Sequence, residues 1–254
     1  MPTSLNVPSV TVEQMREVDR LMIEEYGILL IQMMENAGRN VATLVSTVAQ
    51  GVSGKSVLVL AGTGNNGGGG LVAARHLSNM GAQVHVILSA AAAELREMPA
   101  HQASILRKME VETLEWKPSD ETRLVAAFGV PTVIVDALLG YSLSGAPRGG
   151  AAHLIELANA SGNQIVALDV PSGVSATDGR VHEPAIRATA TVTLALPKTA
   201  LGSDEARALS GDLYLGDISV PPGLYRRLGL ELAPLFANGS PVPLIWTADG
   251  WVTG

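Results

Sequence analysis

Gly62-Thr63-Gly64-Asn65-Asn66-Gly67 follows the apolar run LVLA and leads into LVAARHL. A glycine loop between strand and helix lets a backbone approach a ligand closely, and the spacing formally matches G-x-G-x-x-G. Two further apolar runs end in carboxylates. VIVD ends in Asp136 ahead of ALLGYSLSGAPRGG, and VALD ends in Asp169 ahead of VPSG, with Ser172 and Gly173 just beyond. Carboxylates, amides, a hydroxyl and free backbone N–H groups on neighbouring loops are the groups of an acid–base or anion-binding site. The alternative for Asp136 and Asp169 is that each caps the turn after it.

Such residues meet only if the strands lie side by side. Strands are expected at 56–61, 83–89, 131–136, 164–169, 189–196 and 213–218, with helices near 70–80, 100–109, 120–128 and 150–160. Alternation of strand and helix implies a doubly wound, largely parallel sheet, whose ligands bind at the carboxyl ends of the strands. Two helices precede it. TVEQMREVDRLMIEEYG opens with a capping box of Thr11 and Gln14, then repeats Val12, Met15, Val18, Met22 and Tyr26 at helical spacing. LLIQMMENAGRNVATLVSTVAQ is apolar on most faces, as a buried or subunit-interface helix would be. The chain reads as one domain, 1–254, with no role assigned to the tail 231–254.

Several chemistries are excluded. A dinucleotide dehydrogenase wants an acid, or an arginine for a 2′-phosphate, at the end of the second strand. QVHVIL ends instead in Ser89 and alanines. There is no G-x-x-x-x-G-K-[ST], and GYSLSG is not a nucleophile elbow. The five histidines lack metal-ligand spacing, and with no cysteine there are no disulfides or thiolate sites. Lys and Arg are scattered in a chain of net charge −7, so neither nucleic acid nor an anionic membrane is the expected partner. MPTSLNVPSV lacks the basic and apolar regions of a signal peptide, so a cytoplasmic protein is expected.

The motifs VLVLAGTGNNGGGGLVAARHL, VIVDALLGYSLSG, VALDVPSGVSATDG, TLALPKTAL and GDLYLGDISVP occur in the order seen in the YjeF N-terminal domain family. The similarity runs from about Thr11 to Tyr225. It implies a Rossmann-like three-layer α/β/α sandwich with a largely parallel central sheet and N-terminal helices, often dimeric through those helices. It also implies NAD(P)H-hydrate epimerase activity, interconverting the R and S forms of NADHX and NADPHX for a separate dehydratase to restore. On this resemblance Asn65, Asn66, Gly67, Gly68 and Gly69 would hold the hydrated cofactor. Gly140, Tyr141, Ser142, Leu143, Ser144, Gly145 and Ala146 would wrap the diphosphate. Asn66, Asp136 and Ser172 would contribute to a potassium site. Asp169 would contact the hydrated ring, with Lys198 in an acid–base or phosphate-neutralising role. The family usually has aspartate where this chain has Gly69, a position expected here in a flexible loop. Relatives that act as scaffolds leave a non-catalytic nucleotide-binding module as the alternative.

Overall fold

The computed structural model describes residues 4–129 and 131–254. Its centre is β2 (Ser56–Ala61), every residue of which is buried, as a strand covered on both faces must be. Alternate side chains serve opposite layers. Val57, Val59 and Ala61 join one core with α1 (Val12–Glu24), α2 (Leu30–Val48), α3 (Asn65–Asn79) and α4 (Glu97–Lys108). Leu58 and Leu60 join a second core with α5 (Glu121–Phe128) and α6 (Gly149–Ala160). This is the three-layer sandwich.

One ten-stranded sheet runs through it, in the order β1-β10-β9-β8-β7-β6-β5-β2-β3-β4. β3 (Gln83–Leu88), β4 (Glu112–Glu115), β5 (Val133–Ala137), β6 (Gln164–Leu168), β7 (Ala190–Leu194) and β8 (Asp212–Gly216) are parallel to β2. β4, absent from the sequence expectation, is short and polar, which suits an edge strand. The chain leaves β2 for β3 and β4, then returns to place β5 on β2's other side. That reversal opens a crevice above the carboxyl ends of β2 and β5.

The tail is structured. β9 (Val242–Thr247) and β10 (Gly250–Thr253) form a hairpin antiparallel to β8, and β1 (Asn6–Val7) closes the edge on β10. Trp246 and Trp251 are cross-strand partners with ring centroids 4.8 Å apart. Two short helices, α7 (Asp204–Ser210) and α8 (Pro222–Arg227), flank β8.

The Thr11–Gln14 capping box is present in both directions. Tyr26 lies beyond the end of α1 and is exposed. The glycine run is a correction. Gly67 to Gly70 are the third to sixth residues of α3, buried against neighbours, and not a flexible loop. A Cβ on Gly67 would stand 1.9 Å from the Gly62 carbonyl oxygen, and one on Gly70 2.4 Å from Ala137 Cβ. The run exists so that a helix can start directly on top of the sheet. Among the described residues no helix is long and apolar enough to cross a membrane.

Candidate active site

A cavity of about 740 Å³ lies over the crevice, within the size range of small-molecule sites. It follows the strand ends from β7 across to β4, roughly 24 Å at ordinary strand spacing. Such a trough suits an elongated ligand. The loops after β2 and β5 form its middle, with Gly62, Asn65, Asn66, Gly140, Tyr141 and Ser142 on its walls.

At the β6–β7 end Asp169 and Lys198 form an ion pair and both line the cavity. Asp169 is 3% exposed and Lys198 fully buried. Lys198 Nζ also donates to the Leu194 carbonyl at 3.0 Å and more distantly to Thr193 Oγ1. The second Asp169 oxygen accepts the Tyr141 backbone N–H at 3.0 Å. Asp169 has φ +73°, and Val170 N–H bonds back to the Leu168 carbonyl across it. Ala195, at φ +64°, repeats the pattern between Leu196 N–H and the Leu194 carbonyl. Two such γ-turns on non-glycine residues are rare and strained. They end the adjacent strands β6 and β7 and lead into the two halves of the pair.

Sequence reasoning missed Asp19. Its carboxylate reaches the cavity from α1 and accepts the Tyr141 hydroxyl at 2.6 Å. Burial raises its pKa, opposed by the Tyr141 hydrogen bond and the Lys198 charge. Burial and Asp19 push the Tyr141 phenol far above its usual range. Lys198 Nζ stands 5.9 Å from the Tyr141 ring centroid, so Asp19, Tyr141, Lys198 and Asp169 form one cluster. A signal was present: Asp19 sits four residues after Met15 and three before Met22, on the helix's apolar stripe.

Asp136 is fully buried and does not line the cavity. Its carboxylate accepts the Ser172 hydroxyl at 2.6 Å, Ser172 N–H at 2.8 Å and Leu138 N–H at 3.2 Å. Asn66 Nδ2 donates to the Leu139 carbonyl at 2.9 Å, and Leu139 N–H donates to Ser172 Oγ at 2.9 Å. Asn66, Asp136 and Ser172 therefore meet around Leu139. No cation pairs with Asp136 among the described residues, and burial raises its pKa to about 6. These oxygens suit a hard monovalent cation, and an unpaired buried carboxylate would gain from one. The described residues contain no cluster of three or more His, Cys, Asp or Glu suited to a metal ion.

Other expectations divide. Asn65, Asn66 and Gly69 line the cavity, but Gly67 and Gly68 do not; Gly68 packs under Met34. Gly140 to Ser142 line it, whereas Leu143, Ser144, Gly145 and Ala146 do not. Arg148, Gly149, Gly150 and Ala151, the start of α6, take that wall instead. Neither α3 nor α6 has a side-chain N-cap. Two sets of free helix N–H groups thus border the trough, which favours an anionic ligand.

Fold and site together define a Rossmann-like α/β sandwich with an anion-favouring trough at its switch point and a buried Asp169–Lys198 ion pair at one end. Residues 30–200 match the family described as YjeF-related protein N-terminus, and the chain belongs to that family. It is 45% identical over 229 residues to NAD(P)H-hydrate epimerase of Dehalogenimonas lykanthroporepellens, covering 89% of this chain and 87% of that one. It is 38% identical to the bifunctional NAD(P)H-hydrate repair enzyme Nnr of Salinibacter ruber, covering 85% of this chain but 41% of that longer protein. The crystal structure of yeast ynu0 superposes with a TM-score of 0.78 at 27% identity, covering 98% of this chain and all of that one.

Proposed function

We propose that the protein is an NAD(P)H-hydrate epimerase, an isomerase acting on the R and S forms of NADHX and NADPHX. The observation that carries the reading is the 45% identity to an NAD(P)H-hydrate epimerase along nearly the full length of both chains. The trough and its buried pair support it.

C6 of the hydrated ring bears a hydroxyl beside the ring nitrogen. The C6–O bond breaks as the hydroxyl takes a proton and leaves as water, the nitrogen lone pair forming a C=N bond. Water then adds to the opposite face, the electron pair returns to nitrogen, and the proton is recovered. One proton is borrowed and given back, which one buried pair can do. Asp169 and Lys198 are that pair. Tyr141 holds Asp169 through its backbone N–H, and the N-terminus of α3 with the Gly140–Ser142 loop holds the diphosphate, supplying position. Asn66, Asp136 and Ser172 would hold a potassium ion, whose charge would steady the loop beside the diphosphate. Gly69, in place of the usual aspartate, leaves all of these groups present.

We read the described chain as one unit built on the single sheet, and as a homodimer through the N-terminal helices. The exposed Ile23, Tyr26 and Leu29 near the junction of α1 and α2 suit that contact. A dehydratase acting on the S form is the functional partner, and the cytoplasmic cofactor pool is the place of action. A coupled assay tests the reading: R-NADHX and an S-specific dehydratase, with and without this protein. Acceleration is expected only with both proteins present. No acceleration, together with capture of a protein partner, would favour the scaffold alternative.

A further inference from the structure

The far end of the trough is built differently. Arg96, Lys117 and Arg148 all line it there, come from three separate segments, and are exposed. None forms an ion pair or a side-chain hydrogen bond among the described residues. Arg96 is anchored to the loop after β2, and the segments of Lys117 and Arg148 are tied to the end of β3. Arg96 N–H donates to the Thr63 carbonyl at 3.1 Å, and Trp116 N–H to the Leu88 carbonyl at 2.8 Å. Gly150 is wedged so closely that a Cβ would stand 2.0 Å from the Ser89 carbonyl oxygen and 2.8 Å from the Trp116 ring. The end of β3, the end of β4 and the start of α6 thus make one corner. Glu94 is the acid on its wall, and Oε1 of that residue accepts the Ala91 N–H. Trp116 adds a half-buried ring and a buried indole N–H without a partner among the described residues.

Three unpaired cations lining one end, against the single carboxylate of Glu94, call for an anion of more than one charge. The chemistry of the proposed reaction lies at the β6–β7 end, and the loops after β2 and β5 take the middle. A dinucleotide with its reacting ring at Asp169 would extend its adenosine to this corner. Resting on the epimerase reading, we infer that the Arg96–Lys117–Arg148 corner binds the 2′-phosphate of the adenosine ribose, so that the enzyme prefers NADPHX to NADHX. The absence of an acid at Ser89–Ala91, which counts against a ribose diol clamp, agrees with this. The cations that replace it come from three separate loops.

The test measures kcat/KM on R-NADPHX and R-NADHX for the native protein and for Arg96→Ala, Lys117→Ala and Arg148→Ala. The native protein should favour NADPHX, and each of the three variants should lower the ratio by about tenfold, the scale of one charge-assisted phosphate contact. Equal losses on both substrates would assign the cations to the diphosphate, and no loss on either would leave them idle. Either result overturns the proposal. Calorimetry with 2′-phospho-ADP-ribose and ADP-ribose separates it from the epimerase reading. If the native protein turns over neither substrate yet binds the 2′-phosphorylated compound more tightly, and the variants do not, the epimerase reading fails and the subsite stands. Equal binding of the two compounds, or binding of neither, overturns the subsite.

Discussion

Asp136 and Asp169 close neighbouring strands and are buried almost completely, yet they are two kinds of carboxylate. Asp136 is ringed by amides and a hydroxyl, pairs with no cation among the described residues, and is walled off from the cavity. Asp169 faces a buried lysine and the cavity, and sits on a strained turn. Burial therefore does not identify chemistry. The partner and the access do, and each difference can be attacked separately.

The largest effect should come from Asp169→Asn. Loss of the acid–base partner should lower kcat by about 10²–10⁴-fold. Leaving Lys198 buried and unpaired should also cost roughly 3–5 kcal/mol, read as a lower urea midpoint. Pairing Asp169→Leu with Lys198→Met should restore much of that stability and none of the activity. Substantial turnover in Asp169→Asn would reduce this pair to architecture, as Asp136 is on the turn-capping alternative.

Asp136→Asn should act through binding and stability. KM should rise, and any rate advantage of potassium over sodium should vanish. Asp136 has a folded pKa of about 6 against an ordinary 3.8, so between these values the folded protein holds the extra proton. Its contribution is complete below about pH 4 and is lost as pH rises through about 6, a change of roughly 3 kcal/mol. Denaturant titrations across that window should show the loss in the native protein and not in the variant. Potassium, by favouring the ionised form, should shrink it. A native curve parallel to that of the variant without potassium would remove the titration, and a loss unchanged by potassium would remove the cation.

Tyr141→Phe probes the link from α1 to the pair. It leaves Asp19 without its hydroxyl donor at a cost of about 1–3 kcal/mol. It also removes an interaction that holds the Asp19 pKa down. The acid limb of the pH–rate profile should move to higher pH with a few-fold loss of kcat. An unmoved profile would show that Asp19 only supports the fold.

The sandwich was legible because its strands are apolar runs separated by amphipathic helices, and the capping box at Thr11 because it is local. Asp136, Asp169 and Ser172 were legible as polar residues at strand tips. Lys198 was reached only through the family resemblance: it sits after an ordinary strand end, and the order β6-β7 brings it to Asp169. Arg148 belongs to a loop, and its place beside Ser89 depends on α6 docking through Gly150. The tail failed for another reason. PVPLIWTADGWVTG holds two prolines and exposed Ile245 and Trp246, so no buried alternation marks the hairpin.

Gly69 is where local reasoning misled most, and it carries the smallest expected effect. A loop glycine replaced by aspartate would gain rigidity and favourable charge at the following helix. Gly69 is instead the fifth residue of α3, and the dipole benefit fades beyond the first turn. A Cβ there would lie 2.8 Å from Leu168 Cδ2, with Ala37 Cβ next at 3.9 Å. That methyl is the far end of a flexible side chain and can give way, but Leu168 is buried and immediately precedes Asp169. The added carboxylate would enter a wall shared with Asp19 and Asp169. Helix propensity returns a few tenths of a kcal/mol, less than the roughly 1 kcal/mol expected for crowding and burying polar atoms. Gly69→Asp should therefore lower stability by about 1 kcal/mol or less and change kcat no more than a few-fold. Gly69→Ala separates crowding from charge. Should the native chain be inactive and Gly69→Asp alone restore turnover, the missing carboxylate was the catalytic one. The contrast between Asp169 and Asp136 would then describe two ways of building a binding module.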